Sequence, residues 1–414
     1  MRIKKIKVTN FKSFDELEVE LNDFNIVIGA NASGKSNFVH IFEFLRDIVD
    51  HGLENAISMQ GDSEFLRNVN IGGDRSFSVE VTVDNTNDFS ALLNIIDGCE
   101  MVYRFALEFQ NGKPGFKITE DKLFIKIDFE RQNQKKGTKE TGELIITNNK
   151  GEVKREDHNL PKAVSDDEYS LMLRIIRTRL TLDFEKLKGE ELLLETSYFK
   201  SPFDFPDVFL SVPVYNFDPR LAKKAIPITG MAELEEDGSN LAIVLRSIMH
   251  DEYSKKQFLN LINDVLPFVE GLDVQKFADR FLQVHLKEIY SKNKLMPAFL
   301  LSDGTLNITA LIIALYFSKK PLLIIEEPER NIHPHLISKI VEIMREVSAK
   351  KQIIVTTHNP EIIKHARLED LLFIARDQEG FSQVSRPAEK EKVKIFLENE
   401  IGIDELYIQD LLEL

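Results

Sequence analysis

Gly29-Ala30-Asn31-Ala32-Ser33-Gly34-Lys35-Ser36 fits the pattern G-x-x-x-x-G-K-[ST], a loop that closes backbone N–H groups around phosphate oxygens. Its glycines allow the tight turn. Lys35 is placed to reach the β- and γ-phosphates, and the Ser36 hydroxyl to ligate Mg2+. Asn31, Gly34 and Asn37 complete the candidate cradle. Residues 24–28, Phe-Asn-Ile-Val-Ile, read as a short buried strand. Residues 37–49 place Phe38, Val39, Ile41, Phe42, Leu45 and Ile48 at helical spacing. Strand, glycine loop and helix N-terminus are what an anion site needs, because the helix dipole adds to the N–H cradle. A glycine turn that binds nothing is the bland alternative. With Lys35 and Ser36 in register and both flanks correct, the expectation is a bound nucleoside triphosphate.

Composition narrows the class. At 414 residues the chain has room for two or three domains, and 43% hydrophobic with 29% charged residues is the balance of a soluble globular protein. Cys99 is the single cysteine, so no internal disulfide can form, which suits a reducing compartment. No apolar core follows Met1-Arg2-Ile3-Lys4-Lys5, and no 18 apolar residues run together. The expected location is therefore cytoplasmic, without a membrane partner. Lys and Arg number 53 against 68 Asp and Glu, a formal charge of −15. That balance repels polyphosphate backbones overall. Only residues 1–12 and 131–139 could form a local basic groove, and both read more simply as solvated surface.

Along the chain, residues 2–8 and 17–21 alternate as strands before the loop, and residues 76–84 and 101–110 alternate after it. Residues 122–130 and 143–147 pair as a hairpin joined by a lysine-rich link. Residues 166–188 turn helical, 209–215 form a strand, 240–272 are helical, and 274–286 mix helix and strand. From residue 297 the pattern becomes tight helix–strand alternation, the mark of a parallel sheet. Helices are expected over 306–317, 334–348 and 360–365, with buried strands over 321–325, 352–356 and 370–375. Three segments follow: 1–125 with the phosphate loop, an α+β insertion at 126–295, and a closing lobe at 296–414.

Two of those buried strands deliver polar residues at their carboxyl ends, where ligands bind in parallel sheets. Residues 321–325 end in Glu326 and Glu327. Glu326 is assigned to the metal and Glu327 to the attacking water. Residues 352–356 lead into Thr357, His358 and Asn359, so His358 could reach a γ-phosphate or that water. Ser302, Asp303 and Gly304 open the helix at 306–317 and offer a second anion site, or an ordinary N-cap.

Taken together, these residues resemble the ATP-binding-cassette-type ATPases of the SMC, RecF and overcoming-lysogenization-defect group. Val8-Thr9-Asn10-Phe11-Lys12-Ser13-Phe14 resembles their opening, Ser302 and Gly304 their signature loop, Glu326-Glu327-Pro328-Glu329 their acidic motif, and Thr356-Thr357-His358-Asn359-Pro360 their switch-histidine loop. Residues 214–219, 237–242 and 331–334 are similar to a branch of AAA-type ATPase domains of bacteria and archaea. The resemblance implies an α/β fold: an ABC-type P-loop NTPase head, with a mixed sheet, helices and an antiparallel β-lobe, carrying an α+β insertion. It implies ATP with Mg2+, and a head-to-tail homodimer with two composite ATP sites. Each site would take Lys35, Ser36, Glu326, Glu327 and His358 from one copy, and Ser302 and Gly304 from the other. Asn331 falls where the family places a subunit-crossing loop.

Three departures stand out. Glu326 stands where many relatives carry Asp. The glutamine after the first helix is hard to place, with Gln60 a candidate. No sustained heptads mark a coiled coil, and the stretch after residue 375 is expected to be too short for the metal-dependent nuclease domain of the overcoming-lysogenization-defect enzymes. The leading expectation is an ATP-hydrolysing switch that controls a protein effector, as in bacterial defence. A RecF-like clamp on DNA and a non-hydrolysing ATP-bound scaffold are the alternatives. Residues 396–414, acidic with spaced apolar positions, read as a terminal helix packed on its own domain.

Overall fold

A computed structural model describes residues 2–72, 75–84, 96–109, 115–131, 138–159, 187–196, 209, 212–292, 294–398 and 402–409. The expected helix at 166–188, apart from residues 187 and 188, and residues 132–137 of the expected link lie outside the described residues. The chain divides into two interleaved units, one of residues 1–22, 31–212 and 374–385, the other of residues 23–30, 213–373 and 386–414.

In the first unit, period-two alternation builds a seven-stranded antiparallel sheet. Its strands are β1 (Arg2–Phe11), β2 (Phe14–Glu20), β4 (Phe77–Asp84), β5 (Ile96–Phe109), β6 (Phe116–Arg131), β7 (Thr138–Asn149) and β8 (Glu152–His158), ordered β2-β1-β4-β5-β6-β7-β8. The expected hairpin at 122–147 is β6 and β7. In β4 the residues Phe77, Val79, Val81 and Val83 are buried and their neighbours half-exposed. That inner face packs on α1 (Lys35–His51), whose Phe44 ring lies 5.7 Å from Phe77 and 6.2 Å from Phe11. Such aromatic contacts add to a burial worth about 2 kcal/mol per large side chain. The outer face carries opposite charges across strands: Lys7–Glu80 at 3.5 Å, Glu80–Arg104 at 3.6 Å and Arg104–Glu120 at 2.9 Å. These half-exposed pairs mark a solvated face rather than a source of stability.

One carboxylate breaks the polarity of the inner face. Asp121 is fully buried and accepts from Tyr103 Oη at 2.8 Å, Asn148 Nδ2 at 2.8 Å and the Leu193 N–H at 2.8 Å. Through it the segment at 192–195 is tied to β5, β6 and the end of β7. Two short helices, α2 (Leu53–Met59) and α3 (Asp62–Leu66), follow α1.

In the second unit, continuous apolar runs give buried parallel strands. They are β3 (Phe24–Ile28), β9 (Val214–Tyr215), β14 (Leu322–Glu326), β15 (Gln352–Thr356) and β16 (Leu371–Arg376), in the order β16-β3-β15-β14-β9. The order continues from β16 to β17 (Ser382–Ser385), which belongs with residues 374–376 to the first unit. The helices are α4 (Pro219–Ala222), α5 (Leu241–His250), α6 (Glu252–Val265), α7 (Asp303–Phe317), α8 (Pro334–Ser348), α9 (Pro360–His365), α10 (Glu391–Glu398) and α11 (Ile403–Ile408). In α8, Ile337, Ile340, Val341, Met344 and Val347 are buried at three- and four-residue spacing, one stripe of an amphipathic helix. Nearly all of α7 from Thr305 to Leu315 is buried, so it is a core helix.

Two expectations are corrected here. Of the strand expected at 209–215, the described residues place only Val214–Tyr215 in a strand, because Pro213 cannot donate to a ladder; residues 210 and 211 lie outside the described residues. The helical reading of 240–272 ends at Val265; beyond it β11 (Val269–Phe277) and β12 (Phe281–Glu288) form a hairpin where mixed structure was expected. Ala278 and Asp279 take positive φ of 49° and 59° at its tip, the backbone of a tight hairpin turn. With β10 (Ile226–Pro227) and β13 (Leu295–Pro297) the hairpin completes a four-stranded sheet. Among the described residues no helix is long and apolar enough to cross a membrane.

Candidate functional site

The phosphate loop leaves β3 at Ile28 and enters α1 at Lys35. Gly34 at the helix N-cap has φ 120°, and a Cβ there would lie 2.2 Å from Ser382 Oγ, so only glycine fits. Ala32 also takes a positive φ, 63°, at the loop's apex. Asn31 and Ser36 are exposed and Lys35 is half-buried on the first turn of α1. The Asn37 side chain donates to Ser13 Oγ at 2.8 Å, in the turn between β1 and β2, so it braces the loop's support.

In the second unit the carboxyl ends of three adjacent strands converge. β14 ends at Glu326, β9 leads into Asn216, and β15 leads into Thr357 and His358. Asn216 Nδ2 donates to Glu326 Oε2 at 3.1 Å, while Arg330 donates to Asn216 Oδ1 at 3.0 Å. Arg330 also forks onto Glu327 Oε2 at 2.6 and 3.2 Å. His358 Nδ1 lies 2.9 Å from the other oxygen, Glu327 Oε1. Five side chains thus form one connected polar network. Glu327 has a positive φ of 45°, and its N–H donates to the Thr356 carbonyl at 2.8 Å. Left-handed backbone in a non-glycine residue is uncommon and clusters at functional sites.

The two glutamates titrate in opposite directions. Burial pushes the Glu326 carboxyl up, against the Asn216 hydrogen bond. Burial would raise Glu327 as well, but Arg330 and His358 together outweigh it and hold the group below the ordinary carboxylate range. Environments that drive neighbouring carboxyls apart are how sites divide roles between them. Glu329 is also raised by burial; it accepts from Thr357 Oγ1 and ties the acidic turn to the strand that presents His358.

Ser302 is the N-cap of α7, its Oγ accepting from the Thr305 N–H at 3.1 Å, and the residue is exposed. Gly304 abuts the acidic turn: a Cβ would lie 2.5 Å from the Asn331 carbonyl oxygen. Asn307 donates to the Arg330 carbonyl at 2.7 Å. The signature helix and the acidic turn are therefore packed as one piece.

Sequence reasoning assigned no role to Asn216 or Arg330. Gln60 caps the C-terminus of α2 in the first unit. Asn216 instead occupies the strand end beside the acidic pair; its signal was the position after a short apolar run. For a divalent ion, Ser36 and Glu326 are hard oxygen donors of the kind Mg2+ takes. Among the described residues no cluster of three His, Cys, Asp or Glu could hold an ion alone.

A phosphate loop after one strand, acidic and histidine loops at the ends of neighbouring parallel strands, and an antiparallel lobe define an ABC-type P-loop ATPase fold of the SMC and RecF type. The chain belongs to the family described as AAA ATPase domain, whose model matches residues 1–266. A second model, an AAA domain attributed to a type IV TA system, matches residues 237–364. Over 102 residues the chain is 26% identical to Septu protein PtuA of Bacillus thuringiensis, covering 22% of this chain and 26% of that protein. Over 50 residues it is 38% identical to DNA replication and repair protein RecF of Oceanobacillus iheyensis, 11% of this chain and 14% of that protein. The two alignments thus span about a quarter and about a seventh of those relatives. A solved SMC head bound to the C-winged helix domain of ScpA shares the fold, with TM-score 0.50 and 14% identity over 93% of this chain and 98% of that one.

Proposed function

We propose that the chain binds ATP with Mg2+ and hydrolyses it, acting as a nucleotide-switched homodimer that controls a protein effector. The observation that carries this reading is Glu327, held ionised and aimed by Arg330 and His358 beside the Glu326 carboxylate. Lys35, with the N–H groups of Gly34 and Ser36, would bind the phosphates, and Asn31 and Asn37 would border them. Ser36 and Glu326 would hold the metal, which when bound neutralises phosphate charge. Glu327 accepts the proton of the attacking water. His358 orients Glu327 and would sense the γ-phosphate. Ser302 and Gly304 of a second copy complete the site. The exposed Ser302, at the dipole-positive end of a 15-residue helix, supports that assignment.

ATP then stabilises the closed dimer through contacts that hydrolysis removes, a population shift between two states. The similarity to a Septu protein and to a type IV TA system domain supports an effector within a defence system. The formal charge of −15 weighs against a RecF-like clamp. The test is turnover and binding by Lys35→Ala and Glu327→Gln. Lys35→Ala loses nucleotide binding; Glu327→Gln binds ATP and loses turnover. Undiminished turnover in Glu327→Gln would remove Glu327 from the chemistry.

A further inference from the structure

We propose that residues beyond 373 set the phosphate loop from its carbonyl side, with Ser382 and Ser13 as positioning residues for the nucleotide; this rests on the nucleotide-binding reading above. In a trans peptide the C=O of one residue and the N–H of the next point in opposite directions. Whatever holds a loop carbonyl therefore aims the following N–H the other way. In the first unit, Arg376 Nε donates to the Ala32 carbonyl at 3.1 Å and Ser382 Oγ to the Ser33 carbonyl at 2.6 Å. These bonds orient the N–H groups of Ser33 and Gly34. In the second unit, Tyr407 Oη on α11 donates to the Gly29 carbonyl at 3.1 Å and orients the N–H of Ala30. The Gly34 carbonyl is taken by the Phe38 N–H at 2.9 Å, the first bond of α1. Successive N–H groups turned to one side are what an anion nest requires.

The serine part of this clamp is a relay. Ser382 Oγ also lies 2.8 Å from Ser13 Oγ, and Ser13 Oγ accepts from Asn37 Nδ2 at 2.8 Å. A serine hydroxyl has one proton. The Ser33 carbonyl can only accept, so Ser382 gives its proton there and Ser13 gives its own to Ser382. The order is Asn37 to Ser13 to Ser382 to the Ser33 carbonyl, each hydroxyl donating once and accepting once. Ser382 is fully buried and Ser13 is 6% exposed, so water cannot replace a missing member. A backbone bond, Ser382 N–H to the Ser13 carbonyl at 2.8 Å, holds the two serines together. Gly34 lets Ser382 approach this closely. The side chains of Ser13, Ser382, Arg376 and Tyr407 need not touch ATP; they act through the loop's peptide planes.

The experiment measures the Kd of a fluorescent ATP analogue with Mg2+, together with kcat and KM, for Ser13→Ala, Ser382→Ala and the double variant. Each single change is expected to raise Kd and KM about tenfold, with kcat within about twofold. The double variant is expected to bind no more weakly than the weaker single, because the relay is already broken. Ser13→Thr, which keeps the hydroxyl, should recover most of the affinity lost by Ser13→Ala. Wild-type affinity in the single variants, a loss confined to kcat, or effects that multiply would each overturn the relay. Should Ser382→Ala fail to fold, the Ser13→Ala and Ser13→Thr pair decides alone: equal affinities overturn the proposal. A wild-type chain that binds no nucleotide overturns the underlying reading as well, whereas normal wild-type binding with unchanged serine variants overturns the clamp only.

Discussion

Arg330 shows what a single side chain does to the chemistry at Glu327. Its guanidinium grips one oxygen of the carboxylate at 2.6 Å while His358 meets the other. Burial alone would raise Glu327, so removing the cation should let it rise. Arg330→Ala is expected to shift the acid limb of the turnover–pH profile to higher pH and to lower kcat about tenfold or more, with ATP affinity within a few-fold. An unshifted acid limb would leave Arg330 a surface ion pair. Asp121 offers a second reading of charge, far from any chemistry in sequence. Burial, only partly opposed by Asn148, Leu193 and Tyr103, pushes its carboxyl up to about 6 from 3.8. The folded protein then holds a proton that the unfolded chain has released, so this group's contribution is full below about pH 4. It is lost as pH rises to about 6, by roughly 2–3 kcal/mol at 1.36 kcal/mol per pH unit. Asp121→Asn keeps an acceptor for Asn148 and Leu193 and removes the titration. Urea midpoints of the variant and the wild type should therefore draw apart between pH 4 and 6, the wild type falling relative to the variant.

Elements with strong periodicity were legible in advance. The buried runs of β3, β14 and β15 and the single apolar stripe of α8 declare themselves because burial on both faces, or on one stripe, dictates composition. The β11–β12 hairpin was harder. Its tip is Ala278-Asp279, without the glycine that usually signals such a turn, so the alternation of Leu272, Val274, Val284 and Leu286 stood without punctuation. In the second unit, the joining of Glu326, Glu327 and His358 at neighbouring strand ends could be anticipated because each follows a buried strand in a recognisable loop. Asn216 was not, since a two-residue strand leaves almost no pattern and its partner Glu326 lies 110 residues away. Packing between elements carries its own prediction. α7 begins against the acidic turn, where a Cβ on residue 304 would lie 2.5 Å from the Asn331 carbonyl oxygen. Gly304→Ala must push that backbone aside, at about 1–3 kcal/mol. The displaced turn carries Arg330, so turnover should fall well beyond the stability loss. Parallel thermal unfolding and steady-state assays would separate the two effects.

The whole molecule raises the question of how many copies make one site. Ser302 and Lys35 belong to different units of one chain, and the proposed closed state joins each Ser302 to the Lys35 of a second copy. A head-to-tail arrangement of that kind is testable by complementation, because symmetry fixes which defects can be paired. Lys35→Ala removes the phosphate ligand, and Ser302→Arg blocks the signature helix. Neither variant should turn over ATP alone. In a mixed dimer one site combines both defects, while the other combines an intact Lys35 with an intact Ser302. Random mixing makes about half the dimers mixed, each with one sound site of two, so about a quarter of wild-type turnover should return. If all the residues of a site came from one copy, mixing would restore nothing. The same mixture speaks to charge. A chain with a formal net charge of −15 gains little from a polyanion, so added duplex DNA should leave the restored rate unchanged at moderate salt. A stimulation that collapses steeply as salt rises would instead place nucleic acid, not a protein effector, at the output of the switch.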